Sequence, residues 1–143
     1  MAFTGVENLD RSIHNSNTWL ADVANGFETT DRQFTYRVLR AWLHTLRDRL
    51  SVEAAAHLAA GFPELLRGVF YDGWSPNKVP EKYDRAEFVA RFAQEARIGN
   101  GEASEKIAVV SGVIRARLGN GAFDHTLAQL PNELRQLVSP EST

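Results

Sequence analysis

Residues 46–63, LRDRLSVEAAAHLAAGFP, align without a gap on residues 114–131, IRARLGNGAFDHTLAQLP, at a displacement of 68 positions. Identical pairs are Arg47 with Arg115, Arg49 with Arg117, Leu50 with Leu118, Ala54 with Ala122, His57 with His125, Ala60 with Ala128, and Pro63 with Pro131. The match continues through Leu66 with Leu134 and Arg67 with Arg135. A one-residue adjustment pairs Trp19, Leu20 and Val23 with Phe88, Val89 and Phe92. The chain therefore reads as two copies of one unit, and the fold follows from what each copy encodes.

Outward from that stretch, every periodic segment is helical. Trp19, Leu20, Val23, Ala24 and Phe27 share one face of a first helix. Thr30 with Gln33 has the form of a capping box and opens a second helix to about Leu50. Phe34, Val38, Leu39, Trp42, Leu43, Leu46 and Leu50 form its apolar face, with Arg37, Arg40, His44 and Arg47 opposite. Ser51 caps a short third helix through Ala59, and Pro63 stands in the first turn of a fourth carrying Leu65, Leu66, Val69 and Phe70. Gly73, Trp74, Ser75, Pro76, Asn77 and Pro80 make a connector. Asp84 with Glu87 then caps a helix bearing Phe88, Val89, Phe92 and Ala93. Gly99–Asn100–Gly101 and Gly119–Asn120–Gly121 bound a helix with Ile107, Val110, Val113, Ile114 and Leu118, and Pro131 begins the last helix. Alternating spacing is missing, so no sheet is expected. The prediction is an all-α bundle of two four-helix units, about 16–73 and 84–139, joined by a connector at 74–83. One unit presents more apolar surface than it can cover, so the two should share a core with approximate twofold symmetry in a single domain spanning residues 1–143.

Composition narrows the function classes. Sixteen Lys and Arg against eighteen Asp and Glu leave a net charge of −2, which gives no global attraction to phosphate backbones. No DNA partner is expected, and any RNA contact would have to be local. The absence of cysteine excludes disulfides, thiol nucleophiles and cysteine zinc sites. Residues 1–15 lack the basic start and apolar stretch of a secretion signal, and no apolar run approaches the roughly 20 residues of a membrane span. The expectation is a cytoplasmic chain with no membrane partner.

With the repeat in place, the chain resembles the bacterial family called domain of unknown function 2267. The resemblance is carried by LRAWLHTLRDRL at 39–50, EAAAHL at 53–58, FPELLRGVFY at 62–71, the connector Asp72-Gly73-Trp74 and QLPNEL at 129–134. The opening segment from Leu9 through Asn17, Trp19 and Leu20 is similar as well. The resemblance implies a helical fold, a bacterial cytoplasmic setting and an association with stress-related genes, and it transfers no catalytic residue.

Candidate chemistry is sparse. His57 and His125 are the residues best suited to metal binding or proton transfer. Their duplication favours a repeated structural hydrogen bond, for instance to a helix terminus, with a symmetric metal or ligand site as the alternative. Glu53 shares a helix face with His57, yet two ligands fall short of a full metal shell, and Gly121 replaces the glutamate in the second unit. Asp124 beside His125 points elsewhere on its helix. The repeated Arg49 and Arg117 are read as structural donors near the C-terminal ends of their helices, with an anion site between the units as the alternative, and the repeated Arg67 and Arg135 are read as structural. Two features suit a partner: the row Arg37, Arg40, His44 and Arg47 on the outer, solvated face of the second helix, and the aromatics Phe70, Tyr71, Trp74 and Tyr83 around the connector. The same aromatics could instead latch the connector onto the bundle. No phosphate loop, zinc helix, nucleophile elbow or dinucleotide fingerprint is present, so no catalytic residue and no cofactor are assigned. The leading expectation is a non-enzymatic protein-interaction module, the second an RNA- or ribosome-associated factor using the arginine row, and the third a small-molecule or metal site between the units.

Overall fold

The computed structural model describes residues 4–140. The ends of the predicted domain, and the first residues of the segment read as carrying no secretion signal, lie outside that range. Eight α-helices follow in order: α1 Glu7–Gly26, α2 Arg32–Arg49, α3 Val52–Ala59, α4 Glu64–Tyr71, α5 Arg85–Ala96, α6 Asn100–Leu118, α7 Asn120–Leu127 and α8 Asn132–Val138. A single 3-10 turn, Pro76–Lys78, interrupts the connector, and no strand occurs among the described residues. No described helix is long and apolar enough to cross a membrane.

Local chemistry sets the boundaries. The Ser51 hydroxyl accepts from Ala54 N at 3.2 Å and Asp84 Oδ1 from Glu87 N at 2.9 Å, so both predicted caps are in place. Glu87 does not reach back in a box; its carboxylate holds Arg91 one turn on. Helix α2 is capped by Asp31, which accepts from Phe34 N at 3.0 Å, one residue later than the Thr30 of the predicted box. Pro63 and Pro131 occupy the caps of α4 and α8 rather than their first turns. Gly119 divides α6 from α7 at φ 91°, a conformation that costs glycine no Cβ clash.

Helix α1 begins at Glu7, more than two turns before the unit boundary expected at residue 16. The extension is polar along most of its surface and carries Glu7 and Asp10 in the first turn, where the helix dipole favours anions. It also has a tertiary role, because Ser12 Oγ accepts from Leu65 N at 2.9 Å and so caps α4 from another helix.

Within each unit the first helix packs on the second and the second on the fourth, α1 on α2 and α2 on α4, then α5 on α6 and α6 on α8. Between units α2 lies on α5, α1 on α6 and α3 on α7. One continuous apolar core results. Trp42 of the first unit stacks on Phe123 of the second, with centroids 6.3 Å apart and planes at 13°. Its Nε1 donates to Ser111 Oγ at 3.0 Å, and that hydroxyl donates to the Ile107 carbonyl at 2.8 Å. The indole therefore buries its whole surface without leaving its one donor unpaired.

Candidate functional site

The second-helix cations lie where α2 meets the ends of α4 and α5, and the expectation of a solvated outer row is corrected. His44 and Arg47 are only 7% and 4% exposed, and Arg37 and Arg40 are half-buried. Arg37 Nε donates to Ala96 O, the last carbonyl of α5, at 2.6 Å. Arg40 spans Glu95 at 3.1 Å and Asp72 at 2.8 Å. His44 Nδ1 stands 2.8 Å from Glu95 Oε2, and its Nε2 stands 2.7 Å from Val69 O. A carbonyl can only accept, so Nε2 carries a hydrogen and donates it to Val69 O. Arg47 Nη1 donates to Phe70 O at 2.9 Å and Asp72 O at 2.8 Å while its Nε meets Asp48 at 2.8 Å. The row thus supplies the missing donors for carbonyls at the C-terminal ends of α4 and α5, where the helix dipoles favour positive charge. Periodicity along α2 locates a polar face; it does not reveal that two helix ends abut it.

The connector aromatics divide. Phe70 is wholly buried, edge-on to Phe62 with centroids 5.4 Å apart. Tyr83 is 5% exposed, its hydroxyl donates to the Thr45 carbonyl of α2, and its own carbonyl accepts from Arg49 Nε at 3.0 Å. Burial, reinforced by Asp48, holds the Tyr83 phenol well above its ordinary titration range. Glu81 N donates to Asp48 O at 2.8 Å, completing a latch of the connector onto α2. Tyr71 and Trp74 are half-buried against each other at 5.1 Å. Neither pair forms the exposed anchor cluster that a partner surface at the connector would need.

Between α2, α5 and Tyr83 runs a polar cleft of about 380 Å³ walled by His44, Arg47, Asp48, Arg91 and Glu95. Its charges are paired: Arg47 with Asp48, Arg91 with Glu87 and Glu81, and Glu95 with Arg40. A very different groove of about 370 Å³ opens between α1, α2 and α4. Ile13, Leu20, Tyr36, Leu39, Leu65 and Val69 line it, and its lining is predominantly apolar. Leu65 is 50% and Tyr36 40% exposed, and Leu9, on the same α1, is 49% exposed. Ser16 Oγ is buried in the groove wall without a hydrogen-bond partner. Sequence periodicity assigns Leu65 to the packed side of its helix and does not single out Tyr36. The groove exists because the short α4 covers only part of the α1–α2 surface.

The repeated polar residues do not repeat their contacts. Arg67 donates to Ala59 O and Phe62 O, closing the turn between α3 and α4, whereas Arg135 makes one long contact of 3.5 Å to Asn132. Arg49 binds the Tyr83 carbonyl, whereas Arg117 reaches Asp22 of α1 at 2.7 Å. Arg115, the counterpart of Arg47, ties α6 to Ser139 at 3.2 Å and pairs with Asp124. His57 and His125 come together: their rings lie 4.3 Å apart, tilted by 46°, where α3 meets α7. Both are exposed, and among the described residues no hydrogen bond engages either ring, so the expected structural bond to a helix terminus is corrected. Among the described residues no three His, Asp or Glu side chains are grouped to hold a metal ion.

No curated protein matches the chain. The family model described as "Uncharacterized conserved protein (DUF2267)" matches residues 16–137, which takes in helices of both units from the body of α1 to α8, and the chain belongs to that family.

Proposed function

We propose that the protein is a non-enzymatic interaction module of the bacterial cytoplasm that takes an apolar or amphipathic segment of a partner protein into the groove between α1, α2 and α4. In this reading the two units act as one rigid body, related by an approximate twofold and joined through the shared core, and the stress setting implied by the sequence resemblance is where the partner is met. The observation that carries the proposal is a predominantly apolar groove bordered by half-exposed Leu65 and Tyr36. The sequence pointed to the connector aromatics and the α2 arginines instead; the groove replaces them because those side chains are already engaged. The same engagement disfavours an RNA-binding role, since a phosphate would have to displace the helix-end carbonyls from Arg37 and Arg47.

The test is capture from bacterial lysate with the wild type, Leu65→Asp and Tyr36→Ser, washed at low and high salt, with protein and RNA both identified. A discrete protein retained through high salt and weakened at least about tenfold by Leu65→Asp supports the reading, because burying a leucine contributes about 1.5–3 kcal/mol. Equal capture by wild type and both variants refutes the groove. Recovery of RNA that vanishes with salt replaces the protein-interaction reading by the nucleic-acid one.

A further inference from the structure

We propose that His57 and His125 form a two-imidazole site for a first-row divalent metal ion of nickel or copper type, spanning the two repeat units at the contact of α3 and α7. The two rings sit at equivalent repeat positions on different helices and face each other with centroids 4.3 Å apart. Among the described residues no hydrogen bond engages any of the four ring nitrogens, and both side chains are exposed, so an ion can enter without breaking a hydrogen bond. Rotation about the last side-chain torsion of histidine is soft, and it can turn one nitrogen of each ring toward a common point.

The spacing discriminates between metals. With metal–nitrogen bonds of about 2.0–2.1 Å, each ring centroid lies about 3.2 Å from the ion. Two ligands at a right angle then place the centroids about 4.5 Å apart, and a tetrahedral angle places them about 5.2 Å apart. The observed 4.3 Å lies within a few tenths of an ångström of the right-angled arrangement and almost 1 Å short of the tetrahedral one. Tetragonal or octahedral Ni²⁺ and Cu²⁺ therefore fit better than tetrahedral Zn²⁺. Glu53, exposed one turn before His57, adds negative charge nearby, whereas Asp124 is held by Arg115. Since no third ligand stands within reach among the described residues, water completes the shell. Such an ion ties the first unit to the second, a role that the interaction groove on α1, α2 and α4 neither needs nor shares.

The experiment is calorimetric titration of tag-free protein with Ni²⁺ alone, repeated on His57→Ala, His125→Ala and the control His14→Ala, with light scattering and thermal melts on the same samples. Expected are one ion per chain, a monomer before and after titration, and a melting temperature raised by about 9 °C at a hundredfold excess over Kd. Each of His57→Ala and His125→Ala should lose at least about tenfold in affinity, while His14→Ala matches the wild type. Both variants replace exposed side chains, so unchanged melts without metal show that folding is intact. Unchanged affinity in either histidine variant overturns the proposal. So does a stoichiometry of two independent ions, Ni²⁺-induced dimers, or Zn²⁺ bound more tightly than Ni²⁺.

Discussion

Replacing Arg47 by methionine keeps the unbranched apolar stem of the side chain while removing every donor, so it tests chiefly what the guanidinium does in the α2 seam. The side chain is 5% exposed and serves three acceptors: the Phe70 and Asp72 carbonyls and the Asp48 carboxylate. Leaving a buried carbonyl unpaired costs about 1–3 kcal/mol. Phe70 O lies in the buried part of the contact and should bear most of that penalty, Asp72 O is nearer the surface and should bear less, and Asp48, 23% exposed, loses a charged partner it can partly replace with water. Together these give about 3–5 kcal/mol, the range found when one partner of a buried ionic contact is removed. For a chain of this size that corresponds to a fall in Tm on the order of 10 °C. Urea unfolding followed by circular dichroism measures it, with Arg37→Met as the comparison. Arg37 is half-buried and donates to the single Ala96 carbonyl, so its loss should cost about 1 kcal/mol. A loss below about 1 kcal/mol for Arg47→Met, or equal losses in the two variants, would refute the helix-end clamp and restore the solvated row.

Ser111→Ala strands the buried Trp42 Nε1 donor and should cost about 1–3 kcal/mol by the same unfolding assay, although the substitution removes only one oxygen. A Cβ added at Gly26 would stand 2.6 Å from Val109 Cγ1, on a β-branched side chain with little rotamer freedom. Gly26→Ala should therefore destabilise at the α1–α6 contact, reversing the gain of about 1 kcal/mol that alanine usually brings to a helix. Tyr83 gives a pH dependence of definite sign. Its phenol titrates higher in the folded chain than its ordinary value of 10.0, so above that pH the unfolded chain releases a proton that the native state keeps. Stability is then intact below about pH 10 and falls by up to about 1.4 kcal/mol per pH unit above it, in unfolding curves collected from pH 8 to 12; Tyr83→Phe should flatten this slope.

Much of the helical framework was readable one element at a time. Ser51 and Asp84 announced their caps, and the glycines at 99 and 119 announced the breaks around α6. The α1 extension was not readable, because before Trp19 the side chains turned inward are mostly polar, Ser12 and Ser16 beside the single Ile13, and their partner, α4, is remote in sequence. The candidate site was least readable of all. Arg47 and a solvated surface arginine look alike on a helical wheel, since the wheel records direction from one axis and carries no information about which helix ends stand opposite. Leu65 looks like a core leucine for the same reason, yet α4 leaves it half open.

The sequence by itself determined that the chain is helical and where most of its helices begin and break, because caps, breakers and apolar periodicity act over a few residues. Only the tertiary structure decided that α2 is wedged against the C-terminal ends of α4 and α5, that an apolar groove is left beside α1, and that the two histidines meet across α3 and α7. Those outcomes depend on which surfaces remain uncovered once several helices compete for the same core, a condition set by the whole packing and by no single segment.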